Sequence, residues 1–173
     1  MDSFRVVNTT FSDLDFIYWL FEEAIKYQRK NNYPVWRGYD KDVLRNDVEC
    51  KYQYKILVGN DIACIFSLFY ADPILWRDRE KGDSIYLHRV VVNPRYKGQK
   101  QLGNILNWLT IHAKQLNMKY IKIDTWADNP NIIEYYKSFG FEFVENFTTP
   151  DILELPSHHR NLQLALLELP LSE

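Results

Sequence analysis

Residues 4–7 are a short apolar run, and from Leu14 the pattern changes: Leu14, Ile17, Tyr18, Phe21 and Ile25 recur at steps of three and four. The first reads as a strand and the second as a helix with one buried face. Ser12 can cap that helix, since Asp15 stands three positions on and Phe11 and Phe16 have hydrophobic-staple spacing. The polar KNNYP ends it, and a shorter helix follows Asp40, using Val43, Leu44 and Val48. Residues 54–58 and 62–70 are β-rich runs joined by Gly59-Asn60-Asp61, which predicts a hairpin.

A charged loop spans 72–83, and residues 84–92 form another strand that Pro94 helps to end, because proline cannot donate to a ladder. After the turn, Ile105, Leu106, Leu109, Ala113 and Leu116 have helical spacing and 120–125 is strand-like. This is a strand-loop-helix-strand unit, expected to cross over right-handedly between parallel strands. Asn129-Pro130 opens another helix, with asparagine as cap and proline at the first position, and Gly140 closes it. Strands near 141–147 and 162–169 finish a chain in which no repeat or linker is visible.

Length and composition narrow the class. The 173 residues predict one domain, 1–173, and the 46% apolar and 16% aromatic shares predict a packed core. A net charge of −2 supplies no general field for nucleic acid or anionic lipid. Cys50 and Cys64 form no C-x-x-C pair and read as free thiols of a reducing cytoplasm. Asp2 stands where a signal peptide would carry a base, and no apolar stretch reaches about 18 residues, so a soluble cytoplasmic protein without membrane contact is expected.

The stretch NPRYKGQKQLGNIL lies where chains often grip phosphate, between a strand and a helix. It is not a nucleoside triphosphatase loop: Gly98 and Gly103 have the glycine spacing, but Asn104 and Ile105 stand where lysine and a hydroxyl residue belong. A dinucleotide fingerprint fails because Lys100 occupies the second glycine position. What remains is a two-glycine loop flanked by Lys97 and Lys100 ahead of a helix's unpaired amides. It suits a diphosphate with no required metal, or a turn whose glycines only relieve backbone strain.

Residues 86–141 resemble the GNAT superfamily of acyl-CoA-dependent N-acetyltransferases. Val92, Pro94, Lys97, Gly98 and Gly103 answer its V-x-P-x-x-[RQ]-G-x-G-x-G/A pattern, and Asn129, Ile132, Tyr136, Gly140 and Phe141 answer N-x-x-A-x-x-x-Y-x-x-x-G-F. The middle glycine is missing, the loop KGQKQLG is one residue longer, and Lys97 replaces arginine or glutamine. The resemblance implies an α/β fold with a mixed sheet of roughly six to seven strands flanked by about four helices. It also implies acetyl-CoA as co-substrate. The pantetheine arm would pair with the backbone of Val90, Val91 and Val92, and the pyrophosphate would lie on Lys97, Gly98, Gln99, Lys100, Gln101, Leu102 and Gly103. Asn129 would contact the arm, and Tyr136 would protonate the departing thiolate.

The implied reaction is direct attack by a primary amine on the thioester. At pH 7 only about one alkyl amine in 2,500 is neutral, a penalty of about 4.6 kcal/mol, so a base is useful. His88 is the candidate, sharing a strand face with Tyr86 and Val90, and the alternative is a histidine hydrogen-bonded inside the sheet. Tyr33, Trp36, Tyr86 and Trp126, with Trp76, could line an acceptor pocket or belong to an aromatic core. His158-His159 lacks a spaced cysteine or acid, so no metal is expected. The partner is a small-molecule or peptide amine, and the apolar last strand could support a homodimer. The alternative is a catalytically idle GNAT-like domain that senses acyl-CoA or a protein partner. A nucleic-acid module built on NPRYKGQK lacks companion basic surface.

Overall fold

The computed structural model of the chain describes residues 4–33 and 35–171; Asp2 and Pro34, which entered the leader and helix-stop arguments, lie outside them. Among the described residues the elements run β1 (Phe4–Asn8), α1 (Leu14–Lys30), α2 (Lys41–Glu49), β2 (Gln53–Val58), β3 (Asp61–Phe69), α3 (Pro73–Trp76), β4 (Ser84–Val92), α4 (Gln101–Gln115), β5 (Tyr120–Trp126), α5 (Pro130–Lys137), β6 (Glu142–Thr148) and β7 (Gln163–Pro170). The seven strands form one sheet in the order β1-β2-β3-β4-β5-β7-β6. Strand β4 runs parallel to β5, with Ser84, Ile85 and Tyr86 opposite Tyr120, Ile121 and Lys122, while β1–β2, β2–β3, β5–β7 and β6–β7 are antiparallel. The sheet is therefore mixed, as expected. The chain divides into two compact units, residues 1–68 with 88–108 and residues 69–87 with 109–173.

In the first unit the buried face of α1 consists of Leu14, Ile17, Leu20 and Phe21, which join Leu44 and Val48 of α2, Ile65 and Val91 in one cluster. The helix does not start at a Ser12 cap. Thr10 ends the extended backbone instead: its amide donates to Asp13 at 2.7 Å and a single 3-10 turn over Phe11–Asp13 leads into α1. Phe11 is exposed rather than a staple, lying beneath the Arg45 guanidinium. Asp13 takes the box-partner place expected of Asp15, and Lys55 reaches it from β2, donating to its two oxygens at 2.9 and 2.7 Å. Burial alone would push the Asp13 carboxyl up, but the Lys55 ammonium and the Thr10 amide and hydroxyl outweigh it and hold the group below its ordinary value. Asp40 caps α2 as expected, accepting from the amides of Asp42 and Val43.

The second unit buries Leu75, Trp76, Tyr86, Leu162, Leu164 and Leu166, with Phe69, Ile74, Trp126, Val144 and Phe147 packed against them. The expected charged loop at 72–83 contains α3, which Asp72 caps at the amide of Leu75 and Pro73 opens at its first turn. This short turn presses Trp76 fully into the core, so Trp76 is not a pocket-lining loop residue. Arg77 ends it at φ +47 and is held there by Glu145 and by the Phe147 ring, 4.0 Å from its guanidinium. Strand β7 lies between β5 and β6, and its apolar run is used inside the sheet: Leu164, Ala165, Leu166 and Leu167 are all buried. Leu116, counted with the apolar face of α4, falls beyond its end and is exposed.

Candidate active site

The end of β4 and the turn after it belong to the first unit. The side chain of Asn93 fixes the exit from the strand: its amide nitrogen donates to the carbonyl of Ile62 at 2.8 Å, its oxygen accepts from the amide of Arg95, and its backbone N–H reaches the carbonyl of Ala63. Val91 is buried, whereas Val90 and Val92 are half-exposed. Beyond the Pro94–Tyr96 turn, pinned by the Tyr96 hydroxyl on Asp61, the chain reverses through two left-handed residues, Gly98 at φ +77 and Lys100 at φ +53. Lys100 therefore takes a conformation that favours glycine, one position before α4 begins, in a loop whose family pattern carries a middle glycine. Gln101 and Leu102 are buried at the first turn of α4, Gly103 lies inside that helix, and the amide of Asn104 closes on the carbonyl of Lys100. The preceding amides are those a helix leaves without intrahelical acceptors, on a fifteen-residue helix whose positive end they mark. Such a turn has the donors a diphosphate needs.

Lys97 takes a different position from its neighbours. Its ammonium lies 2.9 Å from the centre of the Tyr27 ring on α1, and partial burial there pulls its pKa down. With Glu23, Lys26, Lys30 and Pro94 these two residues line a groove of about 190 Å³. Tyr27 also meets the ring of Tyr33, which is exposed, and Trp36 packs half-buried against Phe21 with its amide on the Gln28 side chain.

His88 and Arg89 follow directly on the buried run Ser84, Ile85, Tyr86 and Leu87. Strict alternation would put His88 on one face with Tyr86 and Val90, but Arg89 sits at φ +51 within the strand, so the two-residue period is broken between His88 and Val90. The guanidinium of Arg89 donates to Asp47 of α2 at 2.7 Å, and the Ser67 hydroxyl of β3 donates to the same oxygen at 3.0 Å. Burial raises the Asp47 carboxyl above its ordinary range, with Arg89, Ser67 and the charge of His88 pulling it back.

In the second unit Asn129 accepts from the amide of Ile132 and so caps α5, and Gly140, at φ +94, closes the turn after it. Tyr136 is half-buried on α5, edge-on to Phe141 and beside Tyr135. Trp126, at the end of β5, packs half-buried against the core, while Tyr86 is fully buried. The buried Tyr86 hydroxyl faces the Glu80 carboxylate, and burial with that carboxylate beside it drives its pKa far up. Glu80 itself is held below its usual range: burial would raise it, but the amides of Asp72 and Gly82 bind its two oxygens. Beside Tyr86, the buried Lys122 ammonium lies 4.6 Å from the Trp76 ring and donates to the carbonyl of Arg79.

Residues 15–141 match the model of the acetyltransferase (GNAT) family. The chain belongs to that family. A relative, the uncharacterized N-acetyltransferase YesJ of Bacillus subtilis, is 24% identical over 151 residues, covering 83% of this chain and 84% of its own. A GNAT-family acetyltransferase from Listeria monocytogenes shares the fold with a TM-score of 0.77 at 16% identity, covering 97% of this chain and 95% of its own. The ribosomal-protein-alanine N-acetyltransferase from Brucella melitensis does so at 0.68 and 16%, covering 96% and 99%.

Sequence reasoning missed Asp47, Arg89, Glu80 and Lys122. Asp47 left a trace, because it shares a helical face with Leu44 and Val48, where an unpaired carboxylate would be costly. Nothing in the local sequence marks Arg89 as left-handed. Among the described residues no cluster of three His, Cys, Asp or Glu side chains is arranged to hold a metal, and no helix is long and apolar enough to cross a membrane.

Proposed function

We propose that this acetyltransferase moves an acetyl group from acetyl-CoA to a primary amine by direct attack, in the cytoplasm. The reading is carried by the strand-turn-helix from β4 into α4, where two left-handed residues precede a long helix inside the segment that matches the family. The backbone of Val90, Val91 and Val92 pairs with the pantetheine arm. Lys97, Gly98, Gln99, Lys100, Gln101, Leu102 and Gly103 take the pyrophosphate, chiefly through amides, with Asn129 on the arm. Lys97 leans on Tyr27, so its contribution is charge rather than a directed bond.

His88 takes a proton from the ammonium of the acceptor, and the freed nitrogen attacks the thioester carbonyl carbon. The carbon–sulfur bond breaks, the thiolate leaves with the proton of the Tyr136 hydroxyl, and the surplus proton of the new amide nitrogen restores that hydroxyl, while His88 passes its proton to solvent. Proton transfer from tyrosine to thiolate is uphill by about 2 kcal/mol on solution values near 10 and 8.5, so Tyr136 hydrogen-bonds the sulfur as charge builds on it and yields the proton as the amide nitrogen sheds its own. On the sequence reading, Tyr33, Trp36, Tyr86 and Trp126 are the candidates for contact with the acceptor. The acceptor is a small-molecule or peptide amine, and no metal is required.

A panel of amines assayed with acetyl-CoA for thiol release tests this. Amine-dependent thiol release that falls at least ten-fold in Tyr136→Phe supports it, as does a pH–rate rise that flattens in His88→Gln. Binding of acetyl-CoA with no thiol release for any amine would favour a sensor, the reading that Lys100 in place of the middle glycine motivates.

A further inference from the structure

A left-handed residue inside a strand needs a reason, and at Arg89 the structure supplies one. Arg89 has a β-carbon, so its φ of +51 is a conformation that L-residues disfavour. The carboxylate that binds it is almost completely buried: the Asp47 side chain is 3% exposed and that of Arg89 is 23%. Ser67 closes the site from β3 with a second hydrogen bond to the same oxygen, and all three residues lie in one compact unit. Asp47 is itself anchored, because its carbonyl accepts the amide of Tyr52 after α2. A buried carboxylate held from two elements tolerates little movement of its partner, since moving Arg89 would leave it without its guanidinium.

We infer that Asp47 is a positioning residue: it clamps Arg89 in the left-handed conformation and thereby sets which way the amides of Val90, Val91 and Val92 face. This rests on the proposed role of those amides in holding the acetyl-CoA arm. The geometry is specific about the consequence. Side chains and backbone groups of a strand alternate with a period of two, so a kink at one residue decides the facing of every later residue in that strand. Residues 90–92 come directly after the kink and Val91 is the buried one. If Arg89 relaxed to an extended conformation, the pattern would shift and the donor amides would be re-aimed without any contact to the ligand being removed.

The clamp differs from ordinary packing in one testable way: glycine at position 89 can adopt the left-handed conformation with no clamp at all. Acetyl-CoA affinity is measured by calorimetry on wild type, Asp47→Asn, Arg89→Ala, Arg89→Gly and the Asp47→Asn/Arg89→Gly pair. The expected result is a loss of about ten-fold, or 1.4 kcal/mol, in Asp47→Asn and Arg89→Ala. Arg89→Gly should recover most of that affinity, and Asp47→Asn should have little further effect once glycine is present. Glycine no better than alanine, or an Asp47→Asn protein that binds like wild type, would overturn the inference. The Cα and Cβ chemical shifts at position 89 provide a readout without ligand, left-handed in wild type and relaxed toward extended values in Asp47→Asn. If wild type bound no acetyl-CoA the functional reading would fall, while unchanged shifts in a folded Asp47→Asn protein would refute the clamp itself.

Discussion

Replacing Lys100 by glycine removes a side chain from a residue held at φ +53, just before α4. The left-handed region costs an L-residue about 1–2 kcal/mol, and glycine escapes that cost. Against it stands the greater freedom of glycine in the unfolded chain, about 0.4–1 kcal/mol. Lys100 is exposed, and the bond its carbonyl accepts from Asn104 survives the substitution, so little else changes. The net expectation is a gain of about 0.5–1 kcal/mol, or about 1–4 °C in melting temperature for a chain of this length. Urea unfolding followed by circular dichroism measures it, with Lys100→Ala as the control. Alanine keeps the strain and should stay within about 0.5 kcal/mol of wild type. A glycine variant less stable than the alanine variant would refute the reasoning, because it would mean that the turn carries no backbone strain at this position.

The Asp13→Asn variant should lose about 1–2 kcal/mol at pH 7, since Lys55 is left half of a largely enclosed pair. The pKa of Asp13 is lowered on folding, so its contribution is present above the unfolded value near 3.9 and disappears as pH falls through the folded value. Wild-type and variant stabilities should thus converge as the pH falls below the ordinary carboxylate range; a constant gap would contradict the assignment. Tyr86→Phe removes a buried hydroxyl facing the Glu80 carboxylate, which the amides of Asp72 and Gly82 still hold, so it should stay within about 1 kcal/mol of wild type. A loss above about 2 kcal/mol in urea unfolding would show that Glu80 depends on the hydroxyl. Truncating Ile17, fully buried in the first unit, to alanine should cost about 2–5 kcal/mol by the same measurement, and a cost under 1 would contradict its place in the core.

Much of this fold is written in local signals. The steps of three and four from Leu14, the Asp40 cap and the Asn129-Pro130 opening each specify an element from a few residues, and each element is present. The start of α1 was misread because Thr10 and Ser12 are equally good caps locally, and the choice falls to Lys55, forty-two residues from Asp13. The helix α3 was hidden by the charges around it, although Asp72-Pro73 is a cap followed by a first-turn proline. Of the candidate site, the loop residues and Tyr136 are named by the family resemblance, while the kink at Arg89 is not: its guanidinium meets a carboxylate on another element, and sequence periodicity carries no information about that. The same is true of Tyr86 and Trp76, whose depth depends on how α3 packs.

The central claim is that the amides at the end of β4 hold the acetyl-CoA arm and those of the turn after it hold the pyrophosphate. Titrating the protein with acetyl-CoA while recording backbone amide shifts tests it most directly. The account predicts saturable one-to-one binding, with the largest shifts at residues 90–92 and 98–103 and competition by free CoA. Saturation with those amides unmoved, or no binding at all, would contradict it.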